Sequence, residues 1–139
     1  MRKYMNKVIC GDAIEKMKEM PDKSVNLVCI DPPYNIGKDE WDNLGIAKKG
    51  YGGNKENNYG GHYFDWMSNV FVEIERVLKD NGSFFFFHND FRMVAELDRR
   101  IQEKTQFVFK NMIIWNKRFE GSPKKGFLDG YVVKSGLTS

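Results

Sequence analysis

The apolar, β-branched run Val25-Asn26-Leu27-Val28-Cys29-Ile30 ends without transition in Asp31-Pro32-Pro33-Tyr34. A run of this kind predicts a strand, and the nearly continuous apolar character is that of a parallel strand covered on both faces. The two prolines lack an N–H, fix their own φ and keep each preceding residue extended, so neither strand nor helix continues through them. Asp31 is thereby set in a stiff turn at the strand's carboxyl end, with an aromatic ring beside it.

The flanking sequence predicts alternating strands and helices. Lys7-Val8-Ile9-Cys10 reads as a short strand and Gly11-Asp12 as its end; Asp12 is placed to cap a helix carrying Ile14, Met17 and Met20, with Glu15 at capping-box spacing and Pro21 as the stop. Met67, Phe71, Ile74 and Leu78 fall at helical spacing between His62 and Lys79, before a stop at Asp80-Asn81-Gly82. Ser83-Phe84-Phe85-Phe86-Phe87 reads as a buried strand ending at His88-Asn89-Asp90, Asp90 as the cap of a helix through Phe91, Val94, Leu97 and Ile101, and Phe107 to Trp115 as another strand. This alternation predicts an α/β fold, a doubly wound, mostly parallel sheet, whose ligands bind at the strands' carboxyl ends. Asp12, Asp31 to Tyr34, and His88 to Asp90 all fall on that rim, although an Asp after a strand is also a common helix cap.

Two stretches depart from the alternation. Residues 35–61 hold seven glycines, five asparagines and four lysines balanced by four acidic residues, without periodicity. They predict a long loop, with Trp41, Tyr51 and Tyr59 as stacking surfaces. From Lys110 onward six basic residues stand against two acidic ones, so the modest net charge of +3 is concentrated late in the chain. A patch of this kind suits phosphates or simply a solvated surface.

Composition excludes several classes. At 139 residues the chain has the length of one domain, no apolar run approaches the ~20 residues of a membrane span, and the charged N-terminus has no apolar stretch behind it; the expected location is the cytoplasm. Cys10 and Cys29 sit in apolar runs and are expected as small buried hydrophobes, and with His62 and His88 they match no zinc spacing, so no metal is expected.

A rigid carboxylate next to a fixed backbone carbonyl and an aromatic ring suits one chemistry in particular. An exocyclic amine on a nucleobase is a poor nucleophile because its lone pair is delocalised. Two acceptors on its N–H groups favour a pyramidal nitrogen and stabilise the positive charge that develops during attack. Asp31 and the Pro32 carbonyl would be those acceptors, and Tyr34 would stack on a base taken out of the duplex.

Asp31-Pro32-Pro33-Tyr34, preceded by Gly11-Asp12 and followed by Asn81-Gly82-Ser83-Phe84 and Trp115-Asn116-Lys117, resembles the amino-methylating DNA methyltransferases, which transfer a methyl group from S-adenosylmethionine to N6 of adenine or N4 of cytosine. The order of elements resembles the circularly permuted group with the tetrapeptide near the N-terminus. The resemblance implies an incomplete Rossmann-like methyltransferase fold, with residues 1–118 as the catalytic-motif part and 119–139 as a basic C-terminal segment. It implies Asp31, Pro32, Pro33 and Tyr34 as the catalytic group, Asp12 and Asp31 as cofactor-facing, and Tyr34, Trp41, Lys117, Arg118, Lys124 and Lys125 as facing DNA. An aspartate at the first motif position is commoner with adenine, so the expected activity is adenine-N6 methylation of double-stranded DNA, with a cognate restriction enzyme as companion. The family's Phe-x-Gly-x-Gly cofactor turn does not occur in the sequence, Phe119-Glu120-Gly121-Ser122-Pro123 having only its first half, so a C-terminally truncated chain that is inactive alone is expected. A non-catalytic DNA- or partner-binding remnant and an N4-cytosine, RNA or protein-amide methyltransferase stand as alternatives. Oligomeric state is not legible.

Overall fold

A computed structural model describes residues 4–34, 61–115 and 131–136. Within them the order is α1 (Ala13–Lys18), β1 (Val25–Ile30), α2 (Gly61–Val77), β2 (Leu78–His88), α3 (Phe91–Lys104), β3 (Val108–Ile114) and β4 (Tyr131–Gly136). The strands form one sheet in the order β1-β2-β4-β3, with β1 parallel to β2 and β4 antiparallel to both of its neighbours. β1, β2 and β3 therefore point one way and β4 alone runs against them, which is the mostly parallel α/β sheet that the sequence predicts.

Local signals place the elements well where they are strong. Asp12 accepts the Glu15 N–H at 3.0 Å and opens α1. Asp90 accepts the N–H groups of Arg92 and Met93 at 2.8 and 3.2 Å and opens α3, satisfying donors that a helix start leaves unpaired. α2 ends at Val77 rather than at Lys79, because Leu78 already pairs with Val25 at the foot of β2. Lys79 to Gly82 then bulge from the ladder between the Val25–Leu78 and Leu27–Ser83 pairs. Gly82 suits that bulge because a Cβ there would lie 2.5 Å from Leu78 Cγ.

The core lies on one face of the sheet. Tyr63, Met67, Val70, Phe71 and Ile74 of α2 recur at three- and four-residue spacing and pack on Phe84 and Phe86, with Met93, Val94, Leu97 and Ile101 of α3 completing the cluster. Burying each such side chain contributes about 1.5–3 kcal/mol. Arg76 ties α1 to this unit by donating to the Met17 and Met20 carbonyls at 2.6 and 2.9 Å.

Four expectations change. Lys7–Cys10 forms no strand: Val8 and Ile9 are exposed, and among the described residues no strand pairs with the segment to offset its ordering cost. Among the described residues β1 is not covered on both faces: Leu27 and Cys29 are exposed, while Val28 and Ile30 on the opposite face pack against the core. Both cysteines are exposed rather than buried, Cys10 in a segment that pairs with no strand among the described residues and Cys29 on the same face of β1 as the exposed Leu27. The basic C-terminal segment 119–139, for which no strand is expected from the sequence, contains Tyr131–Gly136, which forms β4 between β2 and β3. Among the described residues no helix is long and apolar enough to cross a membrane.

Candidate active site

The parallel pair β1 and β2 delivers two polar ends to the same rim: Asp31 follows Ile30, and His88 closes β2, with Ile30 paired to Phe86. The chain leaves β1 through Asp31-Pro32-Pro33-Tyr34 in no regular structure, with Asp31 exposed, Pro32 buried and Tyr34 half-buried. This is the outward carboxylate in a stiff turn that the two prolines predict.

Three contacts fix the turn. The Tyr34 hydroxyl donates to Asp31 Oδ1 at 2.6 Å, which engages one carboxylate oxygen and sets the side chain's orientation. The Tyr34 ring lies 4.8 Å from the His88 ring, centroid to centroid, at an interplanar angle of 37°. From α2, the Tyr63 hydroxyl donates to the Pro33 carbonyl at 2.8 Å. Burial, and then the hydrogen bond and charge of Asp31, push the Tyr34 phenol well above its usual range, so it stays a protonated donor at any ordinary pH.

Asp12 caps α1 and lines an open groove of about 600 Å³ between α1 and α2 with Ile14, Glu15, Lys18, Trp66, Asn69, Val72 and Glu73. That volume lies in the range of small-molecule sites. The groove connects to the turn through α2: the Trp66 ring is 6.5 Å from that of Tyr63, which holds Pro33.

Asp31, Pro32, Pro33 and Tyr34 are consecutive in the chain and lie beside the His88 ring, and Asp12 lines the groove between α1 and α2. Trp41, Lys117, Arg118, Lys124 and Lys125 lie outside the described residues. Tyr63 and Trp66 were not foreseen, since a tyrosine and a tryptophan in the first turns of an amphipathic helix read simply as core. His88 was placed on the rim by its position after the phenylalanine run, but nothing local tied it to Tyr34. Among the described residues no group of His, Cys, Asp or Glu side chains is arranged to hold a metal ion.

Residues 25–131 match the family model described as DNA methylase, of the N6 and N4 amino-methyltransferases. The chain is similar to the DNA adenine methyltransferase YhdJ of Escherichia coli K12, 34% identical over 118 residues that make up 85% of this chain and 35% of the relative. It is 30% identical to the type II methyltransferase M.BglII of Bacillus subtilis over 135 residues, which cover 86% of this chain and 34% of that protein. The fold matches that of the Thermus thermophilus protein TTHA0409 in complex with S-adenosyl-L-methionine, with a TM-score of 0.67 at 22% identity over 93% of this chain and 54% of that one. It also matches the cytosine-N4-specific PvuII DNA methyltransferase, with a TM-score of 0.66 at 21% identity over 92% of this chain and 48% of that one. The chain spans about a third of the curated relatives' length and about half that of the solved structures.

Proposed function

The chain belongs to the amino-methylating DNA methylases, and from that premise we propose that it carries the base-gripping part of an adenine-N6 DNA methyltransferase that uses S-adenosylmethionine. The observation that carries this reading is the oriented carboxylate: Asp31 at the end of β1, one oxygen held by the Tyr34 hydroxyl and the turn's backbone held by Tyr63.

In this mechanism Asp31 Oδ2 and the Pro32 carbonyl accept the two N–H groups of the target amine. Their negative potential offsets the positive charge that appears on nitrogen as it attacks, and Asp31 is the nearest group to receive the proton released. Tyr34 offers its ring to the extruded base, a contact of roughly 1–3 kcal/mol. Proline rigidity means that these acceptors need little reorganisation when the base arrives.

S-adenosylmethionine supplies an electrophilic methyl group. The groove at Asp12 fits the adenosine part of such a molecule: it has the volume, the Trp66 indole offers an apolar wall, and Asp12 and Asn69 offer hydrogen-bonding groups. We assign Asp12 to that end of the cofactor and Asp31 to the end near the transferred methyl. Lys117, Arg118, Lys124 and Lys125 are assigned to phosphates and Trp41 to base or sugar contacts, in a cytoplasmic protein that works beside a restriction enzyme.

Adenine is favoured over cytosine by the aspartate at position 31 and by the similarity to a DNA adenine methyltransferase. The sequence contains no Phe-x-Gly-x-Gly turn, so transfer by these 139 residues alone is expected to be undetectable and to appear when a segment bearing that turn is supplied in trans. The test incubates the chain, with and without that segment, with labelled S-adenosylmethionine and unmethylated genomic DNA, followed by nucleoside analysis. N6-methyladenine that vanishes with Asp31→Ala supports the proposal. N4-methylcytosine as the sole product, or labelling of RNA or protein instead of DNA, refutes it.

A further inference from the structure

His88 breaks a pattern. Phe84, Phe86 and His88 alternate onto the helix-covered face of β2, all three fully buried, and a third phenylalanine would extend the apolar cluster. An imidazole there costs desolvation that only specific contacts offset. Its Nδ1 accepts the backbone N–H of Asp90 at 3.1 Å, so that lone pair is engaged and the ring proton sits on Nε2, in a neutral imidazole. Asp90 is itself held at the N-terminus of α3 by its hydrogen bonds to Arg92 and Met93. On its other side the His88 ring meets Tyr34, whose hydroxyl is on Asp31. A continuous series of contacts thus runs from the start of α3 through Asp90, His88 and Tyr34 to the carboxylate.

We propose that His88 is a positioning residue for the target base: the edge fixed by Asp90 sets the imidazole plane, the imidazole sets the tilt of the Tyr34 ring that meets the base, and that tilt keeps the Tyr34 hydroxyl on Asp31. This rests on the assignment of Asp31 and Tyr34 to the base. It goes further in making the ring's orientation a property of β2 and α3 rather than of the tetrapeptide alone. A side chain that only filled space would need no acceptor at Nδ1.

The experiment reads the two rings without any methyl transfer, so its failure faults His88 and a failed transfer assay faults the base assignment. The chain has two histidines, His62 and His88, which makes side-chain assignment direct. In proton–nitrogen correlation spectra of the imidazoles, His88 is expected as the neutral Nε2–H tautomer with ring-current-shifted carbon-bound protons. Tyr34→Ala, a change at a half-buried residue, should abolish that shift and leave the tautomer intact. With 3-fluorotyrosine placed at position 34, the wild type should give one resonance displaced from free fluorotyrosine. His88→Asn, which keeps an acceptor for the Asp90 N–H but loses the ring, should return it to the free position. His88→Phe, which keeps a ring but loses the acceptor, should leave it displaced but broadened. An Nδ1–H tautomer, no response of His88 to Tyr34→Ala, or a His88→Phe spectrum identical to wild type overturns the proposal. The Tyr34→Ala arm still tests the contact and the tautomer that the proposal requires, and an unresponsive His88 overturns it even if neither His88 variant folds.

Discussion

Tyr63→Phe isolates the hydroxyl that holds the Asp31–Tyr34 turn from outside. Tyr63 is 1% exposed, its ring packs edge-on against Phe64 at 5.5 Å and faces Trp66 at 6.5 Å, and its hydroxyl donates to Pro33 O at 2.8 Å. Phenylalanine keeps the ring and its packing, so no cavity term enters. What is lost is one hydrogen bond, net about 0.5–1.5 kcal/mol, plus some cost of leaving the Pro33 carbonyl without that donor. Pro33 is half-buried, so water recovers part of that cost and the total should be about 1 kcal/mol. For a domain of this size that corresponds to a fall in Tm of about 3–5 °C. Urea denaturation followed by far-UV circular dichroism gives the global value, and hydrogen exchange at the Tyr34 amide gives the local one, which should quicken more than amides in α3. A loss below about 0.3 kcal/mol with unchanged Tyr34 exchange would show that the hydroxyl does not hold the turn. A loss above about 3 kcal/mol would show that the ring's packing had been disturbed instead.

Other consequences are sharper in sign than in size. Phe86→Ala removes a fully buried ring set 5.9 Å from Phe71 and 5.8 Å from Phe84, and should cost about 3–5 kcal/mol in chemical denaturation. The Arg99 and then the Arg100 hydrogen bonds hold the Glu96 carboxyl down to about 2, against 4.5 for an ordinary glutamate. Its folded value is depressed, so the stabilisation is present above 4.5 and is lost as pH falls from there toward 2; Glu96→Gln should flatten that part of the stability–pH curve. Burial pushes the Asp98 carboxyl up, which penalises its ionised form, so Asp98→Asn should raise Tm at neutral pH, with the gain vanishing once the wild-type carboxyl is protonated in acid.

What the sequence made legible follows the range of the interactions involved. The β1 run, the phenylalanine strand and the caps at Asp12 and Asp90 are specified by residues within a few positions of one another, and the structure has each of them. The tetrapeptide is equally local: two prolines define its turn wherever the chain places it. Lys7–Cys10 has strand composition, but a strand exists only through its neighbours, and β-propensity says nothing of whether one is present. β4 escaped for the converse reason. Tyr131-Val132-Val133-Lys134 is brief and lies in a segment rich in lysine and glycine, and it becomes a strand by pairing with both β2 and β3. The contacts from Tyr63 and His88 to the turn are tertiary, the first across 30 residues of sequence, and no periodicity encodes them. His88 alone left a trace, as the polar member of an otherwise phenylalanine face.

The central claim is that Asp31 grips and activates an adenine amine. Its most direct test is product analysis of methylated DNA by the complemented protein and by its Asp31→Ala variant, both checked for native circular dichroism. The account predicts N6-methyladenine from the first and a loss of at least about a hundredfold from the second, the scale of removing a group that stabilises transition-state charge. Undiminished N6-methyladenine from Asp31→Ala would contradict it.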